Sequence, residues 1–185
     1  ESVNPSIENG AGEKEISVFI ADRLKSIGLE VREQGVTDGR SNIIGWLKGS
    51  GLGPSLMLNG HTDTVGVKGM KIDPFNPLIK EGILYGRGAC DMKGPLAAMI
   101  GAMEAIVDSG VRLKGDLMIS TVVDEEWASI GTEKLIKEFH ADAVIVGEPT
   151  GGQIVTAHKG LVSIEVHTYG KAVHGSIPNE GINAV

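Results

Sequence analysis

The sequence predicts an α/β fold: a mostly parallel mixed sheet sandwiched by helices, followed by the start of a smaller α+β domain. Three observations predict it. Short apolar runs at Leu56–Asn59, 116–123 and 142–147 have the wholly hydrophobic texture of strands buried on both faces. Segments with apolar residues at helical spacing alternate with them, and strand–helix–strand alternation gives parallel strands with helices on both sides. After Glu148 the texture changes.

Along the chain, residues 13–27 carry Ile16, Ile20, Leu24 and Ile27 on one helical face, and Gly28 is placed to stop that helix. Leu29–Arg32 and Asn42–Lys48 read as strands joined through a polar, glycine-containing turn. Leu56–Asn59 is the first fully apolar strand, and 64–82 reads as one long loop containing Pro74 and Pro77. Pro95 suits the first turn of a helix that runs to about Ser109 and stops at Gly110. Its Ala, Met and Ile residues surround most of its circumference, so it should lie against the sheet. Strands at 116–123 and 142–147 then flank an amphipathic helix at 132–139. Pro149-Thr150-Gly151-Gly152 breaks the pattern, and Val162, Ile164 and Val166 alternate with Ser163, Glu165 and His167 as in a strand with one wet face. A boundary within 150–158 is expected, dividing 1–155 from 156–185. Residues 181–185 read as a first helical turn, so a second domain is expected to begin here and to be cut off.

No apolar run approaches the ~20 residues of a membrane span. No signal-peptide pattern opens the chain, and the absence of Met at position 1 leads to the expectation of a trimmed or processed start. Cys90 is the only cysteine, which excludes an intrachain disulfide and is consistent with a reducing, cytoplasmic setting. The net charge of −7 argues against nucleic acid as a partner, but its origin is local. Apart from Asp63, Asp91, Glu125, Glu126 and Glu148, the remaining 19 of 24 acids nearly balance 17 Lys and Arg. Carboxylates gathered that densely need a cation to stay ionised.

His61, Asp91, Glu126 and Glu148 each follow a separate apolar run. Ligands collect at the carboxyl ends of strands in open α/β sheets, and one imidazole with three carboxylates is a metal-ligand set. Two divalent ions about 3.5–4 Å apart can activate a water and polarise a carbonyl in amide hydrolysis, and Asp91 is the candidate carboxylate shared between them. Asp63, two residues beyond His61, can accept the other ring N–H. In Asp124-Glu125-Glu126, neighbouring side chains diverge, so Glu126 can bind metal while Glu125 takes a proton from the metal-bound water and passes it to the leaving nitrogen. Singly, each motif has a plainer reading: a capping His-x-Asp pair, a solvated acidic face, a Glu-Pro turn. Their joint occurrence at strand ends favours a site.

His61-Thr62-Asp63-Thr64-Val65, the run Gly86 to Gly94 around Asp91, Asp124-Glu125-Glu126, Gly147-Glu148-Pro149-Thr150 and the run Gly170 to Pro178 resemble the acetylornithine deacetylase and succinyl-diaminopimelate desuccinylase family. These are co-catalytic zinc hydrolases with a zinc-exopeptidase-like fold, related to carboxypeptidases and dipeptidases. The resemblance implies that His61, Asp91 and Glu148 hold one zinc, that Asp91 and Glu126 hold the second, and that cobalt or manganese can replace zinc. It implies that Asp63 orients His61, that Glu125 is the general base, and that a cis peptide follows Asp91. His174 matches a histidine of a lid and dimerisation domain that reaches the partner subunit's site and stabilises the oxyanion. The implied activity is hydrolysis of an N-acyl amino acid or short peptide by a cytoplasmic homodimer of amino-acid biosynthesis, with neither nucleic acid nor membrane as partner. A metal-binding or dimerisation module without turnover, a carboxypeptidase or dipeptidase, and a thiol hydrolase using Cys90 are the alternatives.

Three departures from the family pattern matter. A further histidine on the family's second metal has no match here, and the remainder of the lid and the returning half of the catalytic domain are missing, so the chain as given is expected to be incomplete and inactive alone. Ala128 also stands where many members have glycine, a change that affects the turn rather than the ligands. His140 reads as a surface residue at a helix end, His167 as a strand residue on a wet face, Cys90 as a small buried residue, and His158 has no assigned role.

Overall fold

Asp38-Gly39 turns the chain back on itself, and the residues on either side pair as strands β1 (Glu30–Thr37) and β2 (Arg40–Leu47). A two-residue Asp-Gly loop is the strongest local signal for such a hairpin. In the computed structural model, which describes residues 1–160, 162 and 164–185, this hairpin lies in the first of two units, Glu1–Gly152 and Gln153–Val185.

The first unit has a five-stranded sheet in the order β1-β2-β6-β3-β7, with β3 at Leu56–His61, β6 at Leu117–Val122 and β7 at Ala143–Val146. The β1–β2 and β2–β6 pairs are antiparallel, whereas β3 is parallel to both β6 and β7. Parallel register aligns His61 with Val122 and Asn59 with Val146, so the carboxyl ends of β6, β3 and β7 lie side by side. That half of the sheet delivers the site.

Alternate strand residues face opposite ways, and the core follows. Leu117 and Ile119 pack with Ile20 and Leu24 of α1 (Lys14–Ser26) and with Met99 and Met103 of α2 (Lys93–Asp108). Met118 and Val122 pack on the other face with Ile44, Met57 and Leu135 of α3 (Ile130–Glu138). Helices therefore cover both faces, and every residue of the central β6 is buried. Two helix ends are set by glycine in the left-handed region, Gly28 at φ +89° after α1 and Gly110 at φ +67° after α2.

Several expectations shift. The first strand extends to Thr37 because β2 supplies partners along its whole length. The loop at 64–82 ends in a hairpin, β4 (Leu78–Lys80) with β5 (Ile83–Tyr85), turned through Glu81 and Gly82, both at positive φ. The strand expected to be buried at 142–147 is instead exposed along β7, which among the described residues is an edge strand paired with β3 alone. β3 itself is only partly buried over Leu56, Leu58 and Asn59.

The second unit contains a 3-10 turn at Pro178–Glu180 and an isolated bridge between Lys171 and Ile182. The expected strand over Val162, Ile164 and Val166 is not formed by its described residues, which are exposed; Ser163 lies outside the described residues. A strand needs a neighbour for its N–H and C=O groups, and the described residues of this unit provide none at that position. Residues 181–185 are not helical either, since Ile182 is held by Lys171. Among the described residues no helix is long and apolar enough to cross a membrane.

Candidate metal centre

His61 is the last residue of β3, and its side chain is 1% exposed. Glu125 and Glu126 follow the end of β6, and Glu148 follows β7. Asp91 arrives from the loop between β5 and α2, and its peptide bond to Met92 is cis, as the resemblance implies. The parallel strands bring three of these segments together, and the α2 loop supplies the fourth.

His61 Nδ1 lies 2.9 Å from the backbone carbonyl of Asp63. A carbonyl only accepts, so Nδ1 carries the proton and the Nε2 lone pair of the neutral ring is left for a ligand. Nε2 is 2.9 Å from Asp91 Oδ1, 3.7 Å from Glu148 Oε1 and 3.8 Å from Glu125 Oε2. One ligand atom each from His61, Asp91 and Glu148 lies within 4.8 Å of the others. Glu126 is outside this close group, though it shares its electrostatic field.

The Asp63 carboxylate does not take the ring N–H, because its Oδ1 is 3.6 Å from Nδ1. It accepts the backbone N–H groups of Glu125 (3.0 Å) and Glu126 (3.1 Å) and the Asn4 carboxamide (2.7 Å). Asp63 thus orients His61 through its main chain and the two glutamates through its side chain.

The electrostatics mark a cation site. Burial pushes the Glu126 and Glu148 carboxyls up; His61 draws them down, but Asp91 and Glu125 add to the rise. Burial alone would lower His61, yet Asp63 and then Glu125 outweigh it and raise it to about 9. Burial would also raise Asp63, but His61, Asn4 and the Glu126 N–H hold it below the usual carboxylate range. Among the described residues no lysine or arginine forms an ion pair with Asp91, Glu125, Glu126 or Glu148. An imidazole nitrogen that faces converging carboxylates, and whose lone pair is freed when the ring gives up its Nε2 proton, fits a divalent cation with nitrogen and oxygen ligands.

Four residues escaped the sequence reading. The Arg40 guanidinium donates to both oxygens of Glu13 (2.7 and 2.6 Å) and to Asp124 Oδ1 (2.9 Å), and Asn4 bridges Asp63 and Asp124. Only Asp124 carried a signal, as the first member of the acidic run.

The remaining expected residues lie elsewhere or act differently. His174 is in the second unit, where the Ser176 hydroxyl and amide both approach its Nδ1, at 2.9 and 3.3 Å. His140 is exposed just beyond α3, and His158 Nδ1 lies 3.0 Å from the Lys159 carbonyl. His167 pairs with Glu165 at 2.8 Å but on no strand. Cys90 is exposed rather than buried, because it sits in the turn that presents Asp91.

Residues 57–183 match the model of peptidase family M20/M25/M40. The chain is 36% identical over 179 residues to a probable succinyl-diaminopimelate desuccinylase of Staphylococcus epidermidis, covering 94% of this chain and 44% of that protein. It is 38% identical over 173 residues to an acetylornithine deacetylase of Proteus mirabilis, covering 90% and 44%. The chain therefore spans less than half the length of these curated relatives. A tripeptidase structure from Staphylococcus aureus superposes with TM-score 0.69 at 22% identity, over all of this chain and 50% of that one. A Bacillus subtilis structure, described as a dinuclear metal-binding peptidase of the M20 family, has TM-score 0.54 at 20% identity, over 74% and 35%. The match over residues 57–183 spans the segments that carry His61, Asp91, Glu125, Glu126 and Glu148, and on it the chain belongs to peptidase family M20/M25/M40.

Proposed function

We propose that the intact protein is a metal-dependent hydrolase that cleaves the amide bond of an N-acyl amino acid or short peptide, on the deacetylase and desuccinylase side of its family. The observation that carries this is the convergence of His61, Asp91 and Glu148, with Glu125 3.8 Å from the same imidazole nitrogen. His61, Asp91 and Glu148 would hold one divalent ion and Asp91 and Glu126 the second, with zinc the proposed metal. When bound, such a pair would supply charge stabilisation at the carbonyl oxygen and a nucleophile at neutral pH.

The chain's own residues do the rest. Glu125 takes a proton from the attacking water and delivers it to the leaving nitrogen. The Asp63 carbonyl keeps the His61 proton on Nδ1, while its carboxylate holds the Glu125 and Glu126 backbone. His174, in a lid and dimerisation domain beginning near residue 156, stabilises the developing oxyanion in a homodimer. The relatives' names favour a small acylated amino acid as substrate, and a single cysteine is consistent with the proposed cytoplasmic setting.

The test is Glu125→Gln in the intact protein, assayed with N-acetyl and N-succinyl amino acids and with dipeptides. Loss of a proton carrier predicts a fall in kcat of about 10²–10⁴-fold at unchanged metal stoichiometry. Full activity in this variant would sink the mechanism.

A further inference from the structure

Residues 2–4 reach the site alongside the segment that follows His61. Asn4 N–H donates to the Thr64 carbonyl (3.0 Å), Thr64 N–H to the Ser2 carbonyl (3.1 Å), and Ser2 Oγ–H to the Thr62 carbonyl (2.6 Å). This lacing leaves Asn4 fully buried between two carboxylates. Its Nδ2 donates one proton to Asp63 Oδ2 (2.7 Å) and the other to Asp124 Oδ1 (3.0 Å). The orientation of the amide follows from its other end, since Oδ1 accepts the Ser6 N–H at 2.9 Å and so the NH₂ must face the acids. A neutral side chain with two protons on one nitrogen suits this place. Aspartate would add a third anion, and alanine would leave both carboxylates short of a donor.

The two acids that Asn4 joins set the path of the glutamates after β6. Asp124 has φ +66°, a left-handed conformation that a residue with a side chain seldom adopts. Its carboxylate is gripped there by Arg40 Nη2 (2.9 Å), Asn4 Nδ2 and the Ala128 N–H (3.2 Å). Asp63 holds the next two N–H groups, those of Glu125 and Glu126. Asn4 is the only side chain that donates to both Asp63 and Asp124 among the described residues.

We propose that Asn4 is a positioning residue: by clamping the Asp63 and Asp124 carboxylates together, it sets the direction in which Glu125 and Glu126 leave β6. It thereby places the general base and the ligand of the second ion. This rests on the roles proposed above for Glu125 and Glu126.

The experiment is Asn4→Ala in the intact protein, with kcat, KM, zinc affinity by titration and thermal unfolding measured together. Partners that hold ligands in place typically contribute about 10–100-fold in metal affinity or activity. The expected result is a kcat lower by about tenfold or more at a KM within about twofold, with one of two zinc affinities weakened to the same extent and the other retained. A lower melting temperature with kcat and both affinities unchanged means a merely structural role and overturns the proposal. If Asn4→Ala does not fold, Asn4→Ser serves, since one hydroxyl proton can satisfy one carboxylate but not both. A smaller fall in kcat at unchanged KM supports the proposal there, and wild-type kcat overturns it. A wild-type protein that binds no metal pair or leaves amides intact overturns the underlying roles and this inference with them. An active, two-ion wild type with indifferent Asn4 variants overturns this inference alone.

Discussion

Replacing Arg40 with methionine removes the cation from a buried ion network. The Arg40 side chain is 13% exposed, while those of Glu13 and Asp124 are 0% and 2% exposed. Methionine fills the volume of the stem but forfeits three charge-assisted hydrogen bonds, two to Glu13 and one to Asp124. Breaking a buried pair from one side costs about 3–5 kcal/mol, mostly because the partner stays buried and charged. An exposed pair contributes less than about 1 kcal/mol. Here Glu13 keeps the Asp124 N–H, and Asp124 keeps Asn4 and the Ala128 N–H, which places the loss at the lower end, about 3 kcal/mol. With a urea slope of about 2 kcal/mol/M the unfolding midpoint falls by roughly 1.5 M. Tryptophan fluorescence of the intact protein in urea reads this directly. Adding Glu13→Gln to Arg40→Met should cost less than the sum of the two single changes, because one stranded charge goes with it. A midpoint shift below about 0.5 M in Arg40→Met is what an exposed pair gives, and it would refute the reasoning.

Three further outcomes follow from His61 and Cys90. In the metal-free protein His61 is held up at about 9, so at pH 7.5 it is protonated. Metal uptake at that pH should therefore release about one proton from this ring; calorimetry in buffers of different ionisation enthalpy measures it, and no release contradicts the assignment. Because the folded value lies above the unfolded one, the stabilisation due to the charged ring is complete below about pH 6.5 and is lost as pH rises through about 9. Cys90 is exposed, and no hydrogen bond to an imidazole is present among the described residues. Cys90→Ala should thus retain activity within about twofold, whereas a thiol nucleophile requires an adjacent base and would lose it.

What could be read from the sequence follows from the range over which each feature is determined. The helices were legible because Ile20 and Leu24 lie one turn apart and Gly28 ends the pattern, information contained within fifteen residues. The three side chains that the structure brings together, His61, Asp91 and Glu148, could be singled out because each has a ligand chemistry in a strand-end or turn setting of its own immediate neighbourhood. The exposure of β7 was not, since an apolar tetrapeptide is the same whether one or two strands flank it, and its place at the sheet edge is decided by β3 and β6. The orienting role of Asp63 was half legible. The two-residue spacing from His61 brought it to the imidazole, but carbonyl and carboxylate are equally available at that spacing, and the choice was made by Asn4 and the two glutamate N–H groups.

The Asn4, Glu13, Arg40 and Asp124 network shows why the rest stayed hidden. Its hydrogen-bonded pairs lie 27 to 120 residues apart in sequence, its members sit on a loop, a helix cap and a hairpin, and no motif around Asn4, Glu13 or Arg40 singles any of them out. Their identities are nonetheless constrained, because Glu13 and Asp124 are buried anions that require the Arg40 fork, and Asp124 adopts a left-handed conformation that this fork and Asn4 help to hold. Groups that act on substrate or metal must carry distinctive chemistry, which a sequence displays. Groups that act by holding those residues need only complementary charge at the right distance, which appears when the hairpin, the helix and the parallel strand ends are brought together.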